Sequence, residues 1–164
     1  MMRIALCEVD TVSGHNRRLL GSESGEARLY GSVEISHVVA LSRVGAITER
    51  EGYTTRVFHQ AQESTACFVK RLAKWQPDVV GFHTISYTYP NAVEIASRLK
   101  ALDDPPVIAM GGPHVTGVYS MHRDEELVSL FEKEVDGAVD FVVVGEGEAA
   151  FREMLARVDR GYLD

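Results

Sequence analysis

Short apolar runs alternate with amphipathic stretches along most of the chain, and each run predicts an element. Ile4 to Val9 reads as strand one. Asp10 to Gly31 is polar, dotted with Gly14, Gly21, Gly25 and Gly31, and has little periodicity. The whole of 10–34 is thus a long connection after strand one, and such loops are either functional or mobile. From Ser32 to Glu51 apolar residues return at helical spacing through Ile35, Val38, Val39, Ala46 and Ile47, and Gly52 supplies a stop.

Thr54 to His59 is a β-branched strand two, and Phe68, Leu72 and Trp75 mark one face of a second helix. Asp78 to Ile85 is nearly continuous in apolar residues, as expected of a central parallel strand covered on both faces. Helix three is predicted to start near Asn91, with Glu94 completing a capping box, and to bury Ala92, Ile95, Ala96, Leu99 and Leu102. Pro105 and Pro106 end that unit. Val107 to Met110 is strand four, Asp124 to Lys133 a helix, and Asp140 to Val144 strand five. The last helix aligns Phe151, Met154, Leu155 and Val158, and Gly161 closes it.

Strands alternating with helices, without repeat or linker, predict a single α/β domain over residues 1–164. Its architecture is a flavodoxin-like, Rossmann-like doubly wound sheet of five parallel strands. Right-handed crossovers favour the order 2-1-3-4-5.

Composition narrows the classes of function. A chain of 164 residues is long enough to bury one real core. No apolar run approaches a membrane span, and the N-terminus turns acidic too soon for a signal peptide, so the expected location is cytoplasmic. The net charge of −7 speaks against nucleic acid, whose phosphates demand clustered Lys and Arg. Two distant cysteines, Cys7 and Cys67, can build neither a disulfide framework nor a cluster site. Iron–sulfur chemistry would come from another polypeptide or from a segment outside this sequence.

In sheets of this kind ligands bind beyond the carboxyl ends of the strands. After strand one these ends present Glu8, Asp10 and Thr11. After strand three they present Thr84-Ile85-Ser86-Tyr87-Thr88-Tyr89-Pro90, after strand four Gly111 to Thr116, and after strand five Gly145 to Glu148. The pair Gly111-Gly112 is either a tight turn needing positive φ or a place where a flat ligand approaches the backbone. Thr84, Ser86, Tyr87, Thr88 and Tyr89 could form a solvated, capping loop, but five hydroxyls in six positions favour ligand contact.

Among the six histidines, His37 and His122 read as structural or solvated, and His59 ends strand two. His15, His83 and His114 could converge near Glu146 or Glu148, though no tight spacing supports a metal site. Gly145-Glu146-Gly147 follows the last strand, and neither a Gly-x-Gly-x-x-Gly nor a P-loop is present. No aspartate ends strand three as in a receiver domain, and no nucleophile stands beside a base. Neither catalytic residues nor metal ligands are assigned.

Pro77-Asp78-Val79-Val80-Gly81, Tyr89-Pro90, Gly111-Gly112-Pro113-His114-Val115-Thr116 and Asp140 to Glu148 follow one another in a telling order. Together they resemble the N-terminal cobalamin-binding domain of B12-dependent radical SAM enzymes. The resemblance runs from strand two to the final helix. It implies that the C-terminal edge of the sheet holds a corrin. The contacts would come from Thr84, Ser86, Tyr87, Thr88 and Tyr89, from Gly111, Gly112, Pro113, His114 and Thr116, and from Gly145, Glu146 and Gly147. The Asp-x-His-x-x-Gly that supplies a lower cobalt ligand in other B12 domains is absent, since Asp10 and His15 are wrongly spaced.

The Cys-x-x-x-Cys-x-x-Cys motif of the radical SAM barrel is also absent. The [4Fe-4S] cluster and S-adenosylmethionine would therefore sit on a separate or missing barrel. The resemblance thus leads one to expect either an excised domain or a stand-alone subunit, and the latter would expose a surface for a protein partner or a homodimer. The expected function is a cobalamin-binding module for methyl transfer or other radical chemistry, not catalytic alone. One alternative is a cofactor-free interaction or substrate-recognition domain of the same family, with Tyr87, Tyr89 or the 10–31 loop over the sheet edge. The other is a small metal-dependent hydrolase using His83, His114 and Glu146.

Overall fold

Residues Arg3–Glu8 form β1, and their side chains divide between two cores. Ile4 and Leu6 join one core while Ala5 and Cys7 join the other, because successive strand side chains point to opposite faces. The computed structural model describes residues 1–10, 39–60, 63–120 and 125–161. The predicted loop beyond Asp10, the start of the first helix, and His15, His37 and His122 lie outside the described residues.

After β1 come α1 (39–50), β2 (Thr54–His59), α2 (Thr65–Trp75), β3 (Val79–His83) and α3 (Tyr89–Lys100). Then follow β4 (Val107–Gly111), α4 (Pro113–Ser120), α5 (Glu125–Val135), β5 (Phe141–Val143) and α6 (Gly147–Asp159). All strand pairs are parallel and the order is β2-β1-β3-β4-β5. This is the flavodoxin-like, Rossmann-like sheet that the alternating pattern predicts.

One core gathers Phe68 and Leu72 of α2, Ala92, Ile95 and Leu99 of α3, and Phe131 of α5. The other packs Leu41 of α1 and Phe151, Met154 and Leu155 of α6 against Ile4, Leu6, Val79 and Val143. Each large side chain buried in this way contributes about 1.5–3 kcal/mol. Two aspartates pin the opposite, N-terminal edge of the sheet. Asp78 Oδ2 accepts the Arg3 N–H and Asp140 Oδ2 accepts the Ile108 N–H, both at 2.6 Å.

The structure corrects several expected boundaries. Helix α1 buries Leu41, Gly45 and Thr48, while Val39 and Ala46 from the predicted face are exposed. Helix α3 begins at Tyr89, with Pro90 in its first turn, where a missing N–H costs nothing. Asn91 therefore caps no helix. It is fully buried, and Glu94 pairs instead with Arg98 one turn on. Residues 113–120 form a helix where the sequence reads as a strand-exit loop, so Pro113, His114 and Thr116 are helical. The brief, proline-led apolar pattern of α4 is too short to stand out as a periodic face.

Candidate functional site

A row of side chains across the sheet creates the main cleft. Leu6 is paired in register with Gly81, Gly81 with Ala109, and Ala109 with Phe141. This face is the one covered by α1 and α6. The two small residues at the middle of the row leave a hollow beneath those helices. Phe151 of α6 fills part of it. A Cβ on Gly81 would stand 3.2 Å from two Phe151 ring atoms and 3.3 Å from Leu6 Cδ2.

The remaining space is a cleft of about 580 Å³ on the α1/α6 side, reaching the C-terminal ends of β3, β4 and β5. Leu6, Ala109, Val143 and Phe151 form its apolar floor, and Leu41, Arg43 and Val44 its α1 wall. Gly111, Gly112, Pro113 and Thr116 rim it on one side, with Gly145, Glu146, Gly147 and Glu148 on the other. A smaller depression of about 300 Å³ lies between α1 and α6 near Arg50 and Arg152, and shares Glu148 with the main cleft.

Backbone packing fixes the rim. Gly112 has φ +106°, and a Cβ there would lie 2.6 Å from the Thr84 carbonyl oxygen and 2.8 Å from its nitrogen. The tight-turn reading of Gly112 is thus realised. The exits of β3 and β4 are laced together at this point: the Thr84 N–H donates to Gly111 O at 2.8 Å and the His114 N–H to Thr84 O at 3.1 Å. Across the cleft, the Gly145 N–H donates to Thr116 Oγ1 at 3.0 Å, tying the β5 exit to α4. Where a Cβ would stand on Gly117 or Gly145, nothing lies within 4 Å. Any side chain at either position would project into open space by the cleft.

The hydroxyl run divides. Thr84 is buried, and its hydroxyl donates to Gly111 O at 3.0 Å. Thr88 is buried and its Oγ1 accepts the Ile85 N–H at 3.1 Å, closing the turn into α3. Tyr89 belongs to the core on the other face, where its hydroxyl donates to Glu134 Oε2 at 2.9 Å. Its ring stacks on His114 with centroids 4.1 Å apart, and His114 Nδ1 lies 3.2 Å from Ser86 Oγ. Tyr87 stands 75% exposed at the strand-end edge. None of these, nor His114, lines the cleft, whereas Gly111, Gly112, Pro113, Thr116, Gly145, Glu146 and Gly147 all do.

Burial lowers the pKa of the His114 imidazole, partly offset by the Glu134 carboxylate. Burial, and then the hydrogen bond to Glu134, push the Tyr89 phenol upward. At the end of β1 the buried Glu8 is in register with His59 on one side and His83 on the other. His59 Nε2 is 3.6 Å from Glu8 Oε2, and His83 lines the cleft. Among the described residues, no three His, Cys, Asp or Glu side chains gather so as to hold a metal ion.

Several lining residues escape a reading of the sequence. Gly117 and Ser120 belong to the unforeseen α4, and Phe151 reads only as core. Gly81 carries a usable signal, since a glycine inside an apolar strand marks a close approach. Arg43 has none, because only the docking of α1 brings it to the cleft.

Two comparisons bear on this arrangement. The sequence profile of the B12 binding domain family matches residues 32–155. An uncharacterized methyltransferase of Pyrococcus horikoshii is 29% identical over 92 residues, covering 56% of this chain and 18% of that protein. The match thus spans less than a fifth of the relative's length.

Proposed function

This chain belongs to the B12-binding domain family, and we propose that it holds a cobalamin at the C-terminal edge of its sheet. One observation carries the reading: a glycine-rimmed cleft at that edge, with open space kept at Gly117 and Gly145. Its volume of about 580 Å³ suits part of a large flat ligand, with the remainder extending over the strand ends. The apolar floor fits ring surface, and the hydroxyls of Thr116 and Ser120 fit a rim of amides.

Gly111, Gly112, Pro113, Thr116, Gly145, Glu146 and Gly147 are assigned as direct contacts, since they line the cleft. Ser86 and Tyr87, exposed at the same edge, would reach the outer part of the ligand. Thr84, Thr88, Tyr89 and His114 would act through the loops they fix. When bound, the cofactor supplies organometallic reactivity at cobalt. The chain's residues bind it, orient it and keep water from its enclosed face.

We infer a role as the cobalamin-binding module of a radical SAM methyltransferase-type system in the cytoplasm, not catalytic alone and not bound to nucleic acid. The [4Fe-4S] cluster and S-adenosylmethionine would belong to a barrel in cis or in a separate subunit, and a homodimer is a further arrangement. The name of the Pyrococcus horikoshii relative supports methyl transfer. Among the described residues no helix is long and apolar enough to cross a membrane.

Gel filtration of the full chain after mixing with hydroxocobalamin or methylcobalamin tests the reading. Corrin absorbance is expected to elute with the protein, and protein free of corrin overturns it.

A further inference from the structure

We propose that Arg43 is the anion-recognising residue of the cleft. It would leave Glu148 to engage the phosphodiester of the cobalamin tail, so that the site favours corrinoids carrying that tail over those lacking it. The inference rests on the cobalamin reading above.

Among the described residues lining the cleft, Arg43 is the only Lys or Arg. Its Nη2 lies 2.9 Å from Glu148 Oε1, joining α1 to α6 where both residues line the cleft. Elsewhere the α1 wall is apolar, through Leu41 and Val44. The amides around a corrin ring are neutral, whereas the phosphodiester of the tail is a permanent anion. An anion withdrawn from water into a cleft of this kind needs a cation. A guanidinium meets phosphate oxygens with two parallel hydrogen bonds, a match that an ammonium does not provide.

The existing pair is easily exchanged. The Arg43 side chain is 66% exposed, so its bond to Glu148 is screened by water and contributes little. Glu148 keeps a second favourable partner when Arg43 leaves it. It sits in the first turn of α6, where the positive end of the helix dipole favours a carboxylate. Glu148 thus parks the guanidinium beside the cleft and competes with the ligand for it. This competition gives the two residues opposite effects on affinity.

Titration of the full chain with cobalamin and with cobinamide, which keeps the corrin but lacks the nucleotide tail, tests the proposal. Wild-type protein is expected to bind cobalamin more tightly. Arg43→Gln should weaken cobalamin binding about tenfold, the size of one lost charge-assisted contact, and leave cobinamide binding unchanged. Glu148→Gln should strengthen cobalamin binding, and added salt should weaken it in wild type but not in Arg43→Gln. Equal loss for both corrinoids, no loss for either, or shifts in the same direction for the two variants overturns the role of Arg43 alone. Failure of both corrinoids to bind the wild-type chain overturns the cobalamin reading as well.

Discussion

The side-chain amide of Asn91 donates from Nδ2 to Gln60 Oε1 at 2.7 Å, and both residues are almost wholly buried. The same Gln60 oxygen accepts the Asp10 N–H at 2.9 Å, and Asn91 Nδ2 also donates to Asp10 O at 2.8 Å. Thr65 Oγ1 completes the network by donating to Asn91 Oδ1 at 3.0 Å. The ends of β1 and β2 and the first turns of α2 and α3 are therefore locked together beneath the strand-end edge.

Replacing Asn91 by Leu removes a partner from the buried Gln60 and Thr65 side chains. A loss of about 2–4 kcal/mol is expected, from desolvated groups that stay unpaired. Urea denaturation measures it as a lower midpoint with unchanged slope. A loss below about 0.5 kcal/mol, the range of an ordinary surface substitution, would show that the network contributes nothing.

Gly112→Ala and Gly117→Ala should diverge. At Gly112 a methyl meets the backbone of Thr84 and the positive φ resists any side chain, so a loss of about 2–4 kcal/mol follows. At Gly117 the methyl enters open space inside α4, and the gain in helix propensity is about 0.5–1 kcal/mol. Thermal melts of the pair give the comparison directly. Equal shifts would contradict the geometry.

Gly81→Ala presses on two movable side chains, Phe151 and Leu6, rather than on backbone. A cost of about 1–2 kcal/mol is expected from overpacking. Because Phe151 is the nearer neighbour, Phe151→Leu should absorb part of the strain of the alanine. A double-mutant cycle reads the coupling, and additive effects would refute the contact.

His114 and Tyr89, stacked on each other, give two pH dependences of opposite sense. Burial holds the native His114 pKa below the ordinary value of 6.5, so at mildly acid pH the unfolded chain binds the extra proton. Stability should therefore fall as pH drops below about 6.5, and His114→Gln should flatten that fall. The raised Tyr89 phenol works on the alkaline side. The unfolded phenol ionises first, near 10, and stability is lost as pH rises past that value. Tyr53 and Tyr119 are raised too, so Tyr89→Phe should remove only part of the alkaline slope. Denaturation midpoints across pH check both limbs.

Much of the architecture was legible because it rests on local periodicity. The apolar run around Val79, Val80 and Phe82 identifies a covered strand whatever its neighbours are, and the handedness of crossovers then restricts the strand order. The glycine turn at Gly112 is equally readable, because positive φ selects glycine locally, and Gly145 adopts a positive φ as well. Both turns lie at the C-terminal edge of the sheet, beside the cleft.

The sequence by itself thus determined the α/β class, the strand order and the glycine-bearing edge. The tertiary structure decided the rest, because burial and partnership depend on which elements meet. Asn91 followed by Glu94 satisfies the local rule for a helix cap, yet packing among Gln60, Thr65 and Asp10 gave Asn91 a buried role. Thr84, Thr88 and Tyr89 read as one polar strip, but the chain turns into α3 at Tyr89 and carries them away from the cleft. The hollow itself comes from Gly81 and Ala109 lying side by side in register on separate strands, a juxtaposition no local pattern encodes.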